Sequence, residues 1–337
     1  MLVLTVLEPE GLYPDTELER RILGPGVRLL QGNAKTSLAE LPDALLAEAE
    51  GLMTLRMAVP ADQIARMPKL RVVVRMGVGY DRVDRVACAA RGIKVCNVPD
   101  YGTMEVAEFA VLLALSLRRG LLLYHDGMRQ AAPIPWAVQP STLHRRQQVQ
   151  RFGILGLGRI GTAAALRAKA FGYEVAFFDP YQPNGWERAL GIGRVRSLEA
   201  LLEQSDVLSI HCPLTRTTRG LIDEAALWRL PRNAVLVNTA RGPIVDLDAV
   251  ERVLRDGHLA GAGLDVIPDE PPQQPEPALL RAYRAREPWL AGRLVITPHI
   301  AFHTPEAWDD IRRLGVETMR DVLVDGVSTN VIPPEGD

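Results

Sequence analysis

The sequence predicts an α/β protein with two successive parallel α/β layers, and three observations carry that prediction. Short apolar runs alternate with stretches of helical spacing through the first hundred residues. The texture breaks after Pro99, and a second, clearer alternation starts at Phe152. The chain has 337 residues, room for two full cores at roughly 100 to 200 residues per domain. In order, the strands of the first layer are LVLTVL (2–7), GLMTL (51–55), RVVVRMGVG (71–79) and KVCNVP (94–99). Thr103 then caps a helix whose first turn holds Glu105 and whose apolar face recurs at Val106, Ala110, Leu113 and Leu117. Residues 131–150 carry three prolines and little periodicity, which predicts a surface connection. The second layer reads FGILGL, EVAFFD, VLSIHC, AVLVNTA, AGAGLDV and LVITPH, with helices predicted at 160–171, 198–204, 223–230 and 247–256. Strands separated by single helices at this spacing imply right-handed crossovers and a doubly wound parallel sheet.

Composition narrows the class of function. Hydrophobic residues at 47%, charged residues at 24% and aromatics at 5% are those of a soluble globular protein. The 39 basic and 41 acidic side chains leave a formal charge of −2, which excludes nucleic-acid binding through a general positive field. Three cysteines, Cys88, Cys96 and Cys212, form no CxxC pair, so neither a disulfide framework nor a metal site is expected. A reducing, cytoplasmic setting follows as the expectation. Six apolar residues before Glu8 are too few for a signal segment, and no stretch is expected to cross a membrane.

The sharpest motif is Gly156-Leu157-Gly158-Arg159-Ile160-Gly161. It follows an apolar strand, opens a helix, and is followed 18 residues after Gly161 by Asp179 and Pro180 at the end of another strand. Gly156 permits the tight turn, Gly158 lets backbone approach a pyrophosphate, and Gly161 lets helix and strand pack closely. The helix start then presents its positive dipole end to the phosphates. Asp179 accepts from both ribose hydroxyls and repels a 2′-phosphate, so NAD is expected over NADP.

Three charged residues stand at the ends of predicted strands: Arg241 after AVLVNTA, Glu270 after GLDVIPD, and His299 after LVITP. Ligands of open α/β sheets bind at these carboxyl ends. Arginine grips a carboxylate, histidine passes a proton near neutral pH, and glutamate orients and charges that histidine. Singly, each has a bland use as a strand cap, a loop charge or a structural side chain. Together they form the set that reduction of a 2-keto acid requires beside a hydride donor.

At these residues the sequence resembles the D-isomer-specific 2-hydroxyacid dehydrogenases. The similarity runs from about residue 50 to 330 through RMGVGYDRVD (75–84), GLGRIG (156–161), HCPLTRTTRGLI (211–222), NTARG (238–242), GLDVIPDEPP (263–272) and TPHIA (297–301). Within the family, RAKAFGYEVAFFDPY followed by ERALG looks most like the C-terminal binding protein branch, whose animal members are NADH-binding corepressors. The resemblance implies two Rossmann-like doubly wound domains. An NAD-binding domain of residues 101–299 is inserted into a flavodoxin-like substrate domain formed by 1–100 and 300–337. It implies an NAD(H)-dependent oxidoreductase that interconverts a small 2-keto acid and its D-2-hydroxy acid, with His299 as acid/base, Glu270 as its partner and Arg241 as substrate anchor. Gly77, Val78 and Gly79 fall on the loop whose N–H groups hold the substrate carboxylate, with Arg75 beside it. Phe302 falls where the corepressors place a tryptophan near the substrate, which implies a pocket for apolar or aromatic keto acids. Thr103, His211, Cys212, Pro213, Thr218, Thr239, Ala240 and Asp265 fall on positions lining the NAD cleft. A homodimer through the cofactor domain is implied, with no regulatory appendage. The alternative is a non-catalytic NADH-sensing interaction protein, against which the complete triad speaks. Asp81-Arg82-Val83-Asp84 departs from the family, which often has Asn in this motif.

Overall fold

The computed structural model describes residues 3–130 and 136–334. Leu2 of the first expected strand and residues 131–135 of the expected connection lie outside the described residues. The chain divides into two compact units, Met1–Gly102 with His303–Asp337, and Thr103–Phe302.

The first unit is a six-stranded sheet built on β1 (Leu4–Glu8), β2 (Val27–Gln31), β3 (Gly51–Thr54), β4 (Val72–Arg75) and β5 (Lys94–Cys96). Its parallel strands lie in the order β5-β4-β3-β1-β2, and the short strand Val331–Ile332 pairs antiparallel with β5. This is the flavodoxin-like order, with a switch point between β1 and β3. All four residues of β3 are buried, as a strand covered on both faces requires. Strand β2 was not expected from the sequence. Its VRLLQ run mixes charged and apolar residues and is half exposed, the pattern of an edge strand. Helix Pro305–Met319 packs on β3 and β4. It starts where Thr304 Oγ1 accepts the Ala307 N–H at 3.0 Å, with Pro305 at the first helical position.

The second unit holds β6 (Arg151–Leu155), β7 (Glu174–Phe178), β8 (Gly193–Arg194), β9 (Val207–Ile210), β10 (Ala234–Asn238), β11 (Leu259–Leu264) and β12 (Leu294–Ile296). They form one parallel sheet in the order β12-β11-β10-β9-β6-β7-β8. The strand order reverses between β6 and β9, the switch point at which such sheets bind ligands. Every residue of β10 and β11 is buried, which places the loops that follow them on the firmest part of the sheet. Helix Thr103–Arg118 buries Ala107, Ala110, Leu113 and Leu117 against the sheet. A second helix, Leu121–Gln130, follows it directly. Among the described residues no helix is long and apolar enough to cross a membrane.

Candidate active site

The glycine turn lies at the switch point, directly after β6. Gly156 adopts φ 93°, a left-handed conformation that favours glycine. A Cβ on Gly161 would overlap the Gly156 carbonyl, so only glycine lets helix Arg159–Ala170 start so close to the strand. Gly158 and Arg159 are exposed at the helix start, and Ile160 is half-buried behind them. Asp179 follows β7. Its Oδ2 accepts the Leu157 N–H at 2.8 Å and its Oδ1 accepts the Tyr181 N–H at 2.9 Å. The carboxylate is thereby pinned beside the turn, with exposed Pro180 next to it.

After β9 the chain runs back past the same turn, and a Cβ on Gly156 would meet the Cys212 backbone. His211 Nε2 lies 2.8 Å from Ser209 Oγ, and burial holds its imidazole down to about 4, so the ring is neutral. Burial pushes the Cys212 thiol up to about 12, so it is no nucleophile. Thr218 Oγ1 donates to the Pro213 carbonyl at 2.6 Å and accepts the Thr215 N–H at 2.8 Å. That hydroxyl therefore shapes its loop. The Thr103 and Thr239 hydroxyls are enclosed and have no protein partner among the described residues, so Thr103, the first residue of its helix, does not cap it as expected, and a polar ligand relieves that state. An open helix start, a carboxylate on the neighbouring strand and two enclosed hydroxyls fit a dinucleotide.

Arg241, Glu270 and His299 come from the loops after β10, β11 and β12. A Cβ on Gly242 would overlap the Ile267 carbonyl, so this glycine allows the Arg241 loop to abut the loop leading to Glu270. Buried Asn238 closes the Arg241 turn: its Nδ2 donates to the Arg241 carbonyl at 2.9 Å and its Oδ1 accepts the Ala240 N–H at 3.0 Å. His299 Nδ1 lies 2.7 Å from Glu270 Oε2, and Glu270 Oε1 accepts the Ile267 N–H at 3.2 Å. Burial pushes the Glu270 carboxyl up. The bond and charge of His299, the Ile267 N–H and the Arg241 guanidinium together outweigh it, and the carboxyl sits below its ordinary value. A carboxylate on Nδ1 puts the proton there and leaves Nε2 for a substrate. His299 has φ 56°, an uncommon conformation for a non-glycine residue. The Phe302 ring stands edge-on to the His299 ring, with centroids 6.5 Å apart.

Asp265 explains how that conformation is held. Its Oδ1 accepts from Thr297 Oγ1 at 2.6 Å and the Ile300 N–H at 2.9 Å, and its Oδ2 accepts the Ala301 N–H at 2.9 Å. Its carbonyl accepts the His299 N–H at 2.8 Å. The side chain is buried beneath the histidine loop.

In the first unit, Arg75 ends β4 and its guanidinium lies against Gly77. The Gly77 carbonyl accepts the Val98 N–H at 3.0 Å, and the Val78 carbonyl accepts Asn97 Nδ2 at 2.7 Å. The Gly77 N–H, expected to help hold the substrate carboxylate, donates instead to the Arg75 carbonyl at 2.9 Å, while the Val78 and Gly79 N–H groups have no protein acceptor among the described residues. Such a pair is a site for a carboxylate. Asn97, Asn238 and Thr297 were missed in the sequence. The asparagine of NTARG and the threonine of TPHIA were in view within the motifs, but their bonds depend on turn geometry.

A doubly wound sheet with a glycine fingerprint at its switch point, and a histidine–glutamate pair at neighbouring strand ends, defines a dinucleotide-dependent oxidoreductase. Residues 111–301 match the model of the D-isomer specific 2-hydroxyacid dehydrogenase NAD binding domain. A glyoxylate reductase of Korarchaeum cryptofilum is 39% identical over 265 residues, covering 77% of this chain and 75% of that protein. The fold is similar to a glyoxylate reductase from Paecilomyes thermophila, with a TM-score of 0.86, 25% identity and full coverage of both chains. It is also similar to a D-lactate dehydrogenase from Aquifex aeolicus complexed with NAD and lactic acid, with a TM-score of 0.82 and 27% identity over 97% of this chain and 98% of that one. The chain belongs to the D-isomer-specific 2-hydroxyacid dehydrogenase family and carries its NAD-binding domain. The resemblance to the corepressor branch gains no support from these relatives, which bear enzyme names.

Proposed function

We propose that the protein is an NAD(H)-dependent reductase of small 2-keto acids that yields D-2-hydroxy acids and runs reversibly. The observation that carries this reading is the 2.7 Å contact of His299 Nδ1 with Glu270, which sets Nε2 free for proton transfer. When bound, NADH supplies the hydride for the carbonyl carbon. Thr103, Thr239, Ala240, His211, Cys212, Pro213 and the glycine turn are the residues assigned to hold it, with Asp179 on the adenosine ribose. The substrate carboxylate is assigned to the Val78 and Gly79 N–H groups and Arg75, and the carbonyl oxygen to His299 and Arg241. Protonated His299 delivers its Nε2 proton to that oxygen in reduction and takes it back in oxidation. Glu270 supports the imidazolium by charge and holds the ring by its Nδ1 bond. Arg241 polarises the carbonyl and fixes its direction.

Phe302 beside His299 supports a substrate whose chain next to the carbonyl is apolar. A panel of 2-keto acids, run with NADH and NADPH and analysed for product chirality, tests the reading. The expected outcome is turnover of keto acids with apolar or aromatic side chains, strong preference for NADH, and a D product. Activity on glyoxylate alone contradicts the role of Phe302, equal use of NADPH contradicts that of Asp179, and silence across the panel with tight NADH binding favours a sensor.

The second unit is also proposed to pair with a second copy of the chain. Met104 and Leu112 on helix Thr103–Arg118, Leu121 on the next helix, and Trp136 and Val138 beyond it are exposed apolar residues, with Trp136 at 87%. Sedimentation is expected to give twice the mass of 37.1 kDa; a monomer at micromolar concentration overturns the proposal.

A further inference from the structure

One peptide of the glycine turn is held in place by a residue outside the fingerprint. Gln182 stands three residues beyond Asp179, and its Nε2 donates to the Leu157 carbonyl at 2.7 Å. Only the amide NH2 can face a carbonyl, so the partner settles which way the Gln182 amide lies. The Leu157 N–H is taken by Asp179 Oδ2 at 2.8 Å. Both peptide groups flanking Leu157 are thus fixed by the segment that follows β7.

In a planar trans peptide the carbonyl and the next N–H point in opposite directions. Turning the Leu157 carbonyl toward Gln182 therefore turns the Gly158 N–H away from it. Gly158 is exposed, a Cβ built on it would meet nothing within 4 Å, and its N–H has no protein acceptor among the described residues. It caps helix Arg159–Ala170, where the N–H groups of the first turn are those that bind anions. Gln182 is itself held firmly. Arg194 donates Nη1 to the Gln182 carbonyl at 3.1 Å and Nη2 to the Pro183 carbonyl at 2.6 Å. The same guanidinium pairs with Glu187 at 2.9 Å and lies over the Phe177 ring, 4.6 Å from its centroid.

We propose that Gln182 is a positioning residue for the pyrophosphate of the cofactor: it presets the Leu157–Gly158 peptide so that the Gly158 N–H is aimed at a phosphate before the ligand arrives. The proposal rests on NAD being the cofactor. Without the Gln182 donor the Leu157 carbonyl keeps only the long 3.5 Å contact of Thr162 Oγ1, so the peptide is held more loosely and binding must order it further, which lowers affinity for any ligand carrying the diphosphate.

The test compares wild type, Gln182→Met, which keeps the shape and loses the donor, and Gln182→Lys, which keeps a donor. Titration by protein fluorescence gives the Kd for NADH and for ADP-ribose, and the melting temperature is measured without ligand. The expected result for the Met variant is a three- to tenfold weaker Kd, about the worth of one hydrogen bond, for both ligands. The Lys variant is expected within about twofold of wild type, the range of a single well-replaced bond. The ligand-free melting temperature is expected to fall by no more than about 4 °C in the Met variant, the scale of one lost hydrogen bond, and to stay at the wild-type value in the Lys variant. An unchanged NADH Kd in the Met variant overturns the proposal, as does a loss confined to NADH with ADP-ribose unaffected. A fall in ligand-free melting temperature well beyond about 4 °C also overturns it, because Gln182 is then a structural anchor. Wild type that fails to bind NADH at all would instead contradict the cofactor assignment.

Discussion

Asparagine in place of Asp265 is expected to lower kcat by about 100-fold or more, the scale of an ångström-sized misplacement of a catalytic group. The residue is buried, and both carboxylate oxygens receive donors: Thr297 Oγ1 and the Ile300 N–H on one, the Ala301 N–H on the other. An amide presents one oxygen and one NH2, so on one side a donor faces a donor. The buried group left unsatisfied costs about 1 to 3 kcal/mol of stability. The histidine loop then relaxes, because the left-handed conformation of His299 at φ 56° persists only where its surroundings impose it. Steady-state kinetics, thermal melting and an NADH titration check this together. The expected pattern is a large fall in kcat, a lower melting temperature and an NADH affinity changed by less than about threefold, since no single bond to the cofactor is being removed. Loss of NADH affinity with kcat retained would return Asp265 to the cofactor-lining role that the family resemblance implies.

The contrast between Asp265 and His299 shows what a sequence carries. His299, Glu270 and Arg241 were legible because each follows an apolar strand and each has a side chain suited to one step of the proposed chemistry. The glycine fingerprint was legible because Gly156 turns with positive φ and a Cβ on Gly161 would clash with the Gly156 carbonyl, whereas at Gly158 the protein leaves room for a side chain and only the close approach of a bound pyrophosphate calls for glycine. Asp265 was read only through the family resemblance, as a residue lining the NAD cleft. Its work depends on three loop donors that converge only after β11 and β12 pair in register. Asn97 and Asn238 are hidden for the same reason. In the fold, strands buried on both faces announced themselves as continuous apolar runs, whereas β2 and β8 did not. β2 is a half-exposed edge strand containing Arg28, and β8 is two residues long. Helix Pro305–Met319 was not expected from the sequence, although Thr304, Pro305 and Glu306 give it a start signal. The helix Leu121–Gln130 lacks a broad apolar stripe, as expected of an element that buries little within its own chain.

Removing His299 is the second large effect. Its imidazole is the proposed proton carrier, and general acid catalysis by a placed side chain is worth about 10² to 10⁴ in rate. His299→Ala removes that path while leaving the glycine turn, Asp179 and the Thr103 and Thr239 hydroxyls in place, so NADH binding should survive. Measurement at neutral pH is not confounded by Glu270 in the wild type. Its carboxyl is held below its ordinary value of 4.5, so the pair keeps its negative member at neutral and mildly acidic pH. The stability that this carboxylate contributes is fully present above 4.5 and is lost only as pH falls through the lower folded value. The sign is that of a group whose ionised form the fold favours.

The most direct measurement of the central claim, that His299 moves the proton, is kcat for a good 2-keto acid beside the NADH Kd, for wild type and His299→Ala at pH 7. The expected result is a kcat lower by about 10² to 10⁴ with the Kd within about threefold. A kcat near the wild-type value, with NADH still bound, would remove His299 from the reaction.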